Sequence, residues 1–272
     1  MMNNNLAIRE DEYADENGLP VCKNCNTRRY FKSEDGEVIV RCLCKCQNEE
    51  KLERQRQKKI QERKDYINFL KKYAITNTRY CKATFENTER IKNDSFLKCF
   101  DKCKSYCENA SKVVNTSMGI YISGNVGCGK THLMYCMVNA LTDKLYSCLV
   151  TNFISITNNI KINFNNKNAL RDYLGKLYEV DFLFIDDLGV EKVTDTDGNT
   201  NWVQEKMFEI IDERYNNNKP IIYTSNYKIS ELLGIGLHER IASRINETSA
   251  AIFHIDCESY RIKLKRNREI PF

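Results

Sequence analysis

Residues 124–131 read Gly124-Asn125-Val126-Gly127-Cys128-Gly129-Lys130-Thr131, a G-x-x-x-x-G-K-[ST] loop between the apolar run MGIYIS at 118–123 and a helical pattern, THLMYCMVNAL, that starts at Thr131. Strand, glycine-rich turn and helix in direct succession gather backbone N–H groups and the positive end of a helix dipole around one point, as a nucleotide β-phosphate requires. Gly124, Gly127 and Gly129 permit the turn, and Asn125, Val126 and Cys128 complete the cradle as spacers. Lys130 is expected to reach the β- and γ-phosphates and the Thr131 hydroxyl to coordinate Mg²⁺. A chance glycine-rich turn is the competing reading, and the flanking strand and helix argue against it. The ligand implied is ATP or GTP.

Outward from this loop, the apolar runs CLV (148–150), VDFLFID (180–186), PIIYTS (220–225) and AIFHI (251–255) are separated by segments long enough for crossover helices. With MGIYIS they predict an α/β fold, a mostly parallel five-stranded sheet with helices on both faces. Mg²⁺ beside a bound triphosphate keeps several waters that need carboxylate acceptors. The run ending in Asp186-Asp187 supplies them, with Asp186 expected to hold the metal's hydration shell and Asp187 to orient or deprotonate the attacking water. Asn226, at the end of the 220–225 run, is placed to hydrogen-bond the γ-phosphate or that water, unless it only forms an Asx turn.

The chain has 272 residues and a net charge of +5, too mild an excess to mark a histone-like polycation, while 42% hydrophobic residues exclude a fully disordered chain. No run approaches the ~20 apolar residues of a membrane span, and the first residues lack the basic and apolar regions of a leader. With thirteen cysteines, an odd number, reduced thiols and a cytoplasmic location are expected rather than a disulfide scaffold. Five of these cysteines fall within residues 22–46. Cys22-x-x-Cys25 and Cys42-x-Cys44-x-Cys46 flank a predicted hairpin turning at Glu34-Asp35-Gly36, which brings two thiol pairs together into a closed tetrahedral Zn²⁺ site. Cys22, Cys25, Cys42 and Cys44 are the expected ligands, with Cys46 the rival for the last position. A module this small buries too little apolar area to fold without the metal. Cys99, Cys103 and Cys107 share one helical face and are read as core packing rather than a second metal site. The division expected is a zinc-binding domain at 1–50, a largely solvated helical linker at 51–75, with Leu52, Ile60, Ile67 and Leu70 set among charges, and an ATPase domain at 76–272.

Six elements in order are similar to the AAA+ ATPases of the DnaC/DnaI helicase-loader family, which also contains IstB-type transposition helpers. They are Ala83-Thr84-Phe85-Glu86-Asn87, Gly124 to Thr131, Phe184 to Gly189, Thr224-Ser225-Asn226, Glu239 to Ile245, and Ser259-Tyr260-Arg261. The resemblance implies a P-loop AAA+ (ASCE) core with Asn226 as first sensor, Arg244 as an arginine finger presented to a neighbouring subunit, and Arg261 as second sensor. Arg240 and Arg244, four residues apart, share a helical face; surface pairing with Glu239 and Glu247 is the plainer alternative for them. The family reading further implies an ATPase that self-associates into a ring or spiral. Such a protein loads a replicative helicase hexamer onto single-stranded DNA, its zinc domain docking on the helicase. Phe153, Lys161, Phe164, Lys167 and Arg171 occupy the place of the family's DNA-binding helices. The alternative client is a DNA transposase, as for IstB. Asp187 stands where many AAA+ proteins have Glu, and its shorter reach implies slow hydrolysis.

Overall fold

The computed structural model describes residues 6–33, 39–74, 80–89, 91–189 and 200–260. They divide into two compact units, Met1–Asp65 and Tyr66–Phe272. In the first, β1 (Glu12–Ala14) pairs antiparallel with β2 (Pro20–Cys22), and β3 (Tyr30–Lys32) with β4 (Ile39–Arg41). The predicted turn at Glu34-Asp35-Gly36 lies outside the described residues. Helix α1 (Lys45–Ala74) follows and crosses the boundary between the units. It starts ahead of the expected linker. It also departs from a solvated connector at its far end, where Ile67 and Leu70 are buried in the second unit, whereas Leu52 is exposed. The apolar positions simply become frequent enough there for one face to pack.

After the end of α1, the second unit continues with α2 (Asp94–Glu108) and the short α3 (Ala110–Val113). It continues as β5 (Gly119–Gly124), α4 (Lys130–Asp143), β6 (Cys148–Thr151), α5 (Phe153–Ile162), α6 (Lys167–Glu179), β7 (Phe182–Leu188), α7 (Thr200–Asn216), β8 (Ile221–Ser225), α8 (Glu239–Glu247) and β9 (Ser249–Ile255). The strands form one parallel sheet in the order β6-β7-β8-β5-β9. Both faces are buried, as a parallel sheet requires. Ile120, Ile122, Phe182, Phe184 and Ile222 pack with α2 and α4, while Tyr121, Leu183, Ile185, Ile221 and Tyr223 pack with α5 to α8. Because side chains alternate across a strand, neighbouring apolar residues serve opposite layers. The expected AAA+ core is therefore present, with β8 inserted between the phosphate-loop strand β5 and the acidic strand β7.

Cys99, Cys103 and Cys107 line the buried face of α2 in the first of these layers. The neighbouring Cys99 thiol and burial push Cys103 well above the usual thiol range, and burial pushes Cys107 up to about 12, so both of these thiols stay protonated. A feature without a sequence signal is Arg214 of α7, fully buried. Its Nη1 donates to the Leu177 and Tyr178 carbonyls at 2.7 and 3.1 Å, and its Nη2 to those of Val180 and Pro220 at 3.1 and 2.9 Å. It thereby bridges the end of α6 and the entries of both β7 and β8, and the Pro220 carbonyl also accepts the Leu183 N–H at 3.3 Å. Arg214→Met should lower unfolding stability by about 2–4 kcal/mol, read from urea denaturation, because several carbonyls lose their donor at once.

Candidate functional site

The phosphate loop runs from the end of β5 into α4. Gly127 and Gly129 adopt φ of +84° and +97°, a region that strains residues bearing a Cβ. At Gly127 a Cβ would also fall 2.1 Å from Ser259 Oγ. Lys130 is buried, and its Nζ donates to the Gly124 and Asn125 carbonyls at 2.8 and 3.0 Å and to Asn226 Oδ1 at 3.0 Å. The Thr131 hydroxyl donates to Asp186 Oδ1 at 3.1 Å. The Thr224 hydroxyl donates to the same oxygen and accepts from the Asp187 N–H at 3.0 Å. Burial pushes the Asp186 carboxyl above the usual carboxylate range, and the Thr224 hydroxyl, then Thr131, pulls it back.

Asp187 takes φ of +53°, at a register shift between β7 and β8. This bulge splits the two acids: Asp186 turns into the sheet edge and Asp187 stays exposed. Lys130, Thr131, Asp187 and Asn226 line one cavity of about 510 Å³ together with Val126, Gly127 and Gly129. The cavity is also lined by Tyr80, Ile91, Phe96 and His132, apolar and aromatic groups suited to a flat base, and by Asn87, Thr88 and Glu89. Tyr80 stacks on Tyr135 with ring centroids 4.7 Å apart, and Thr88 Oγ1 lies 2.8 Å from His132 Nε2. Cys128, expected as a spacer, is buried, and burial raises its thiol pKa.

Four placements differ from, or add to, the sequence expectation. Arg261 lies outside the described residues, but Tyr260 lines the cavity, donates its N–H to the Gly127 carbonyl at 2.9 Å and hydrogen-bonds Glu89 through its hydroxyl. Arg244 does not line the cavity. It pairs within the chain with Asp212 and Glu247 at 2.8 and 2.9 Å and lies 3.9 Å from the Tyr215 ring centroid, while Arg240 sits over the Phe208 ring. Of the candidate DNA contacts, Phe153 is a core residue of α5 and unavailable for stacking, whereas Lys161, Phe164, Lys167 and Arg171 are exposed. Thr224, which joins both acids, was invisible as a functional residue because its role depends on β8 lying beside β7.

In the first unit, the sulfurs of Cys22, Cys25, Cys44 and Cys46 all lie within 4.8 Å of one another. Cys46 is 3.7 Å from Cys22 and 3.3 Å from Cys44, near the ~3.8 Å separation of thiolates around a zinc with Zn–S bonds of about 2.3 Å. The cluster is compatible with zinc, and four soft thiols leave no open position. Cys42, expected as a ligand, is exposed at the end of β4 and outside the cluster. The reason is that α1 begins at Lys45, and its first turn folds Cys46 back against Cys44.

A phosphate loop, acids on the next strand but one and a polar residue ending the strand between them define a P-loop nucleotide-binding ATPase fold of the AAA+ class. A family model described as "Bacterial DnaA ATPAse domain" matches residues 67–251, and the chain belongs to that family. It is 29% identical over 174 residues to "Uncharacterized protein YqaM" of Bacillus subtilis (strain 168), covering 64% of this chain and 48% of that protein. To the "Replicative helicase loader DnaI" of the same strain it is 26% identical over 155 residues, 55% of this chain and 46% of DnaI. The chain thus spans about half the length of these relatives. A solved DnaC helicase loader superposes with a TM-score of 0.55 at 26% identity, over 66% of this chain and 99% of that one, in keeping with the DnaC/DnaI resemblance of the motifs. Among the described residues no helix is long and apolar enough to cross a membrane.

Two substitutions separate the cluster from the sequence expectation. Supplied with zinc, Cys42→Ser should retain about one metal per chain and Cys46→Ser should lose it, measured by metal analysis after gel filtration.

Proposed function

We propose that this chain is an ATP-dependent loader of a replicative DNA helicase onto single-stranded DNA, with ATP hydrolysed where subunits meet. The observation that carries the reading is the convergence of Lys130, Thr131, Asp186 and Asn226 at one end of the sheet, beside a cavity with apolar and aromatic groups for a base. Similarity to DnaI and to the DnaC loader supports the choice of client.

In this reading the Lys130 ammonium exchanges its carbonyl partners for β- and γ-phosphate oxygens. Thr131 and Asp186 present the hydroxyl and carboxylate that would hold Mg²⁺, a donor set that suits a hard cation and one that neutralises phosphate charge when bound. Asp187, exposed in the cavity, orients or deprotonates the attacking water, and Asn226 reports the γ-phosphate to β8. Arg261 would complete the site from the chain that follows Tyr260.

Arg244 serves a neighbouring subunit's phosphate. Asp212, Glu247 and Tyr215 hold its guanidinium ready at the surface until that interface forms. A cation delivered this way links nucleotide state to assembly, because ATP favours the oligomer that supplies Arg244, and loss of the γ-phosphate shifts the population back. The self-association is a ring or spiral. The zinc unit docks on the helicase, and Lys161, Phe164, Lys167 and Arg171 offer cations and a ring to single-stranded DNA.

The test separates binding from assembly. Lys130→Ala should abolish binding of a fluorescent ATP analogue. Arg244→Ala should bind it normally yet lose hydrolysis by about 10³-fold or more in the presence of helicase and single-stranded DNA. Equal loss of binding in both variants contradicts a site completed by a second subunit. Failure of the native chain to place helicase on a single-stranded circle, with transfer of a transposase instead, contradicts the client.

A further inference from the structure

The thiol cluster is not surrounded evenly. Cys22 and Cys44 are buried, while Cys25 and Cys46 are partly open, so water can donate hydrogen bonds to the second pair only. A zinc ion with four thiolates carries two net negative charges, and the buried sulfurs need donors from the protein. Backbone N–H groups of Asn24 and Cys25 face Cys22. The charged donor is Arg29, 3% exposed, whose Nη2 lies 3.3 Å from Cys22 Sγ. Its other arm is clamped: Nη1 meets Asp11 at 2.6 Å and Glu12 at 3.0 Å, and Glu12 in turn pairs with Arg41. A planar guanidinium gripped by two carboxylates on one nitrogen has its second nitrogen aimed, a geometry a lysine cannot copy.

We infer that Arg29 is the positioning residue of the metal site: clamped by Asp11 and Glu12, it donates to the Cys22 sulfur, offsets the charge of the thiolate cluster and so raises its hold on zinc. The Cys42 thiol has no part in this, although its N–H donates to the Arg29 carbonyl at 2.8 Å, and Arg41 acts through Glu12. The inference rests on the zinc reading. It goes beyond it in assigning the affinity of the site to a residue that is not a ligand, and it explains why a buried arginine sits in so small a unit, where an unpaired charge would be costly.

The test uses the full chain loaded with Co²⁺, then Zn²⁺. Native protein should show the thiolate-to-cobalt charge-transfer band of a four-sulfur site; absence of that band overturns the zinc reading itself, and Arg29's role with it. Given the band, Arg29→Gln should move it to lower energy, because a sulfur stripped of its donor gives up electron density more easily. In competition with a chelator, the same variant should bind zinc about 10- to 100-fold more weakly. Arg41→Gln, which disturbs Glu12 but touches no sulfur, should leave the band in place. A native band and native affinity in Arg29→Gln overturn the inference, as does an equal shift in Arg41→Gln. If Arg29→Gln does not fold by circular dichroism, Arg29→Lys decides: a shifted band and weaker binding support the aimed guanidinium, and native values overturn it.

Discussion

The site depends on one half-buried carboxylate. Asp186, at the end of β7, is largely withdrawn from water and finds donors within the protein in the hydroxyls of Thr131 and Thr224. Those two hydroxyls belong to the first turn of α4 and to β8, so a single oxygen binds together the phosphate-loop helix and two strands. Lys130 adds a parallel tie to Asn226. The two ties together set phosphate donors and metal-type acceptors at the same edge of the sheet.

Backbone distortion sits at the same place. A regular strand through Asp186 and Asp187 would send the two carboxyls to opposite faces of the sheet. The bulge and the left-handed φ at Asp187 break that alternation, and an aspartate tolerates this conformation better than a β-branched residue would. The cost is of order 1 kcal/mol or more, and the Asp187 N–H bonded to Thr224 helps to offset it. Arg214 supports the arrangement from the other end, gripping the carbonyls that lead into β7 and β8. The two strands that carry Asp186, Asp187 and Asn226 are therefore held at both ends.

The two units owe their stability to different physics. In the larger one, parallel strands are sandwiched between helical layers whose two core clusters are built of aliphatic, aromatic and thiol side chains. In the smaller, four short strands bury little, and among the described residues an arginine, a glutamate and two cysteines share the interior with Pro20 and Val21. Such a unit is cohesive only when its charges are matched. That difference explains why the same residue type, cysteine, is a ligand candidate between Cys22 and Cys46 and packing material on α2.

Much of this was open to reading along the chain. Phosphate loop, strand-end acids, Asn226 and both-faces-buried strands are local patterns, set by residue spacings of a few positions, and the spacing itself carries the chemistry. The clustering of cysteines near the start was equally plain, but the choice between Cys42 and Cys46 was not, because it turns on where a helix begins, and helix starts follow from packing as much as from propensity. Phe153 looked available for stacking until α5 turned it into the core. Thr224, Arg214 and Arg29 were unreadable for one shared reason: each acts on groups distant in sequence, and only the order of strands in the sheet, or the meeting of β1 with the following hairpin, brings those groups within hydrogen-bond range. Local sequence thus determined which chemistry the chain carries, and the tertiary structure decided which side chains aim it, since a buried polar group can be satisfied only by whatever the fold places beside it.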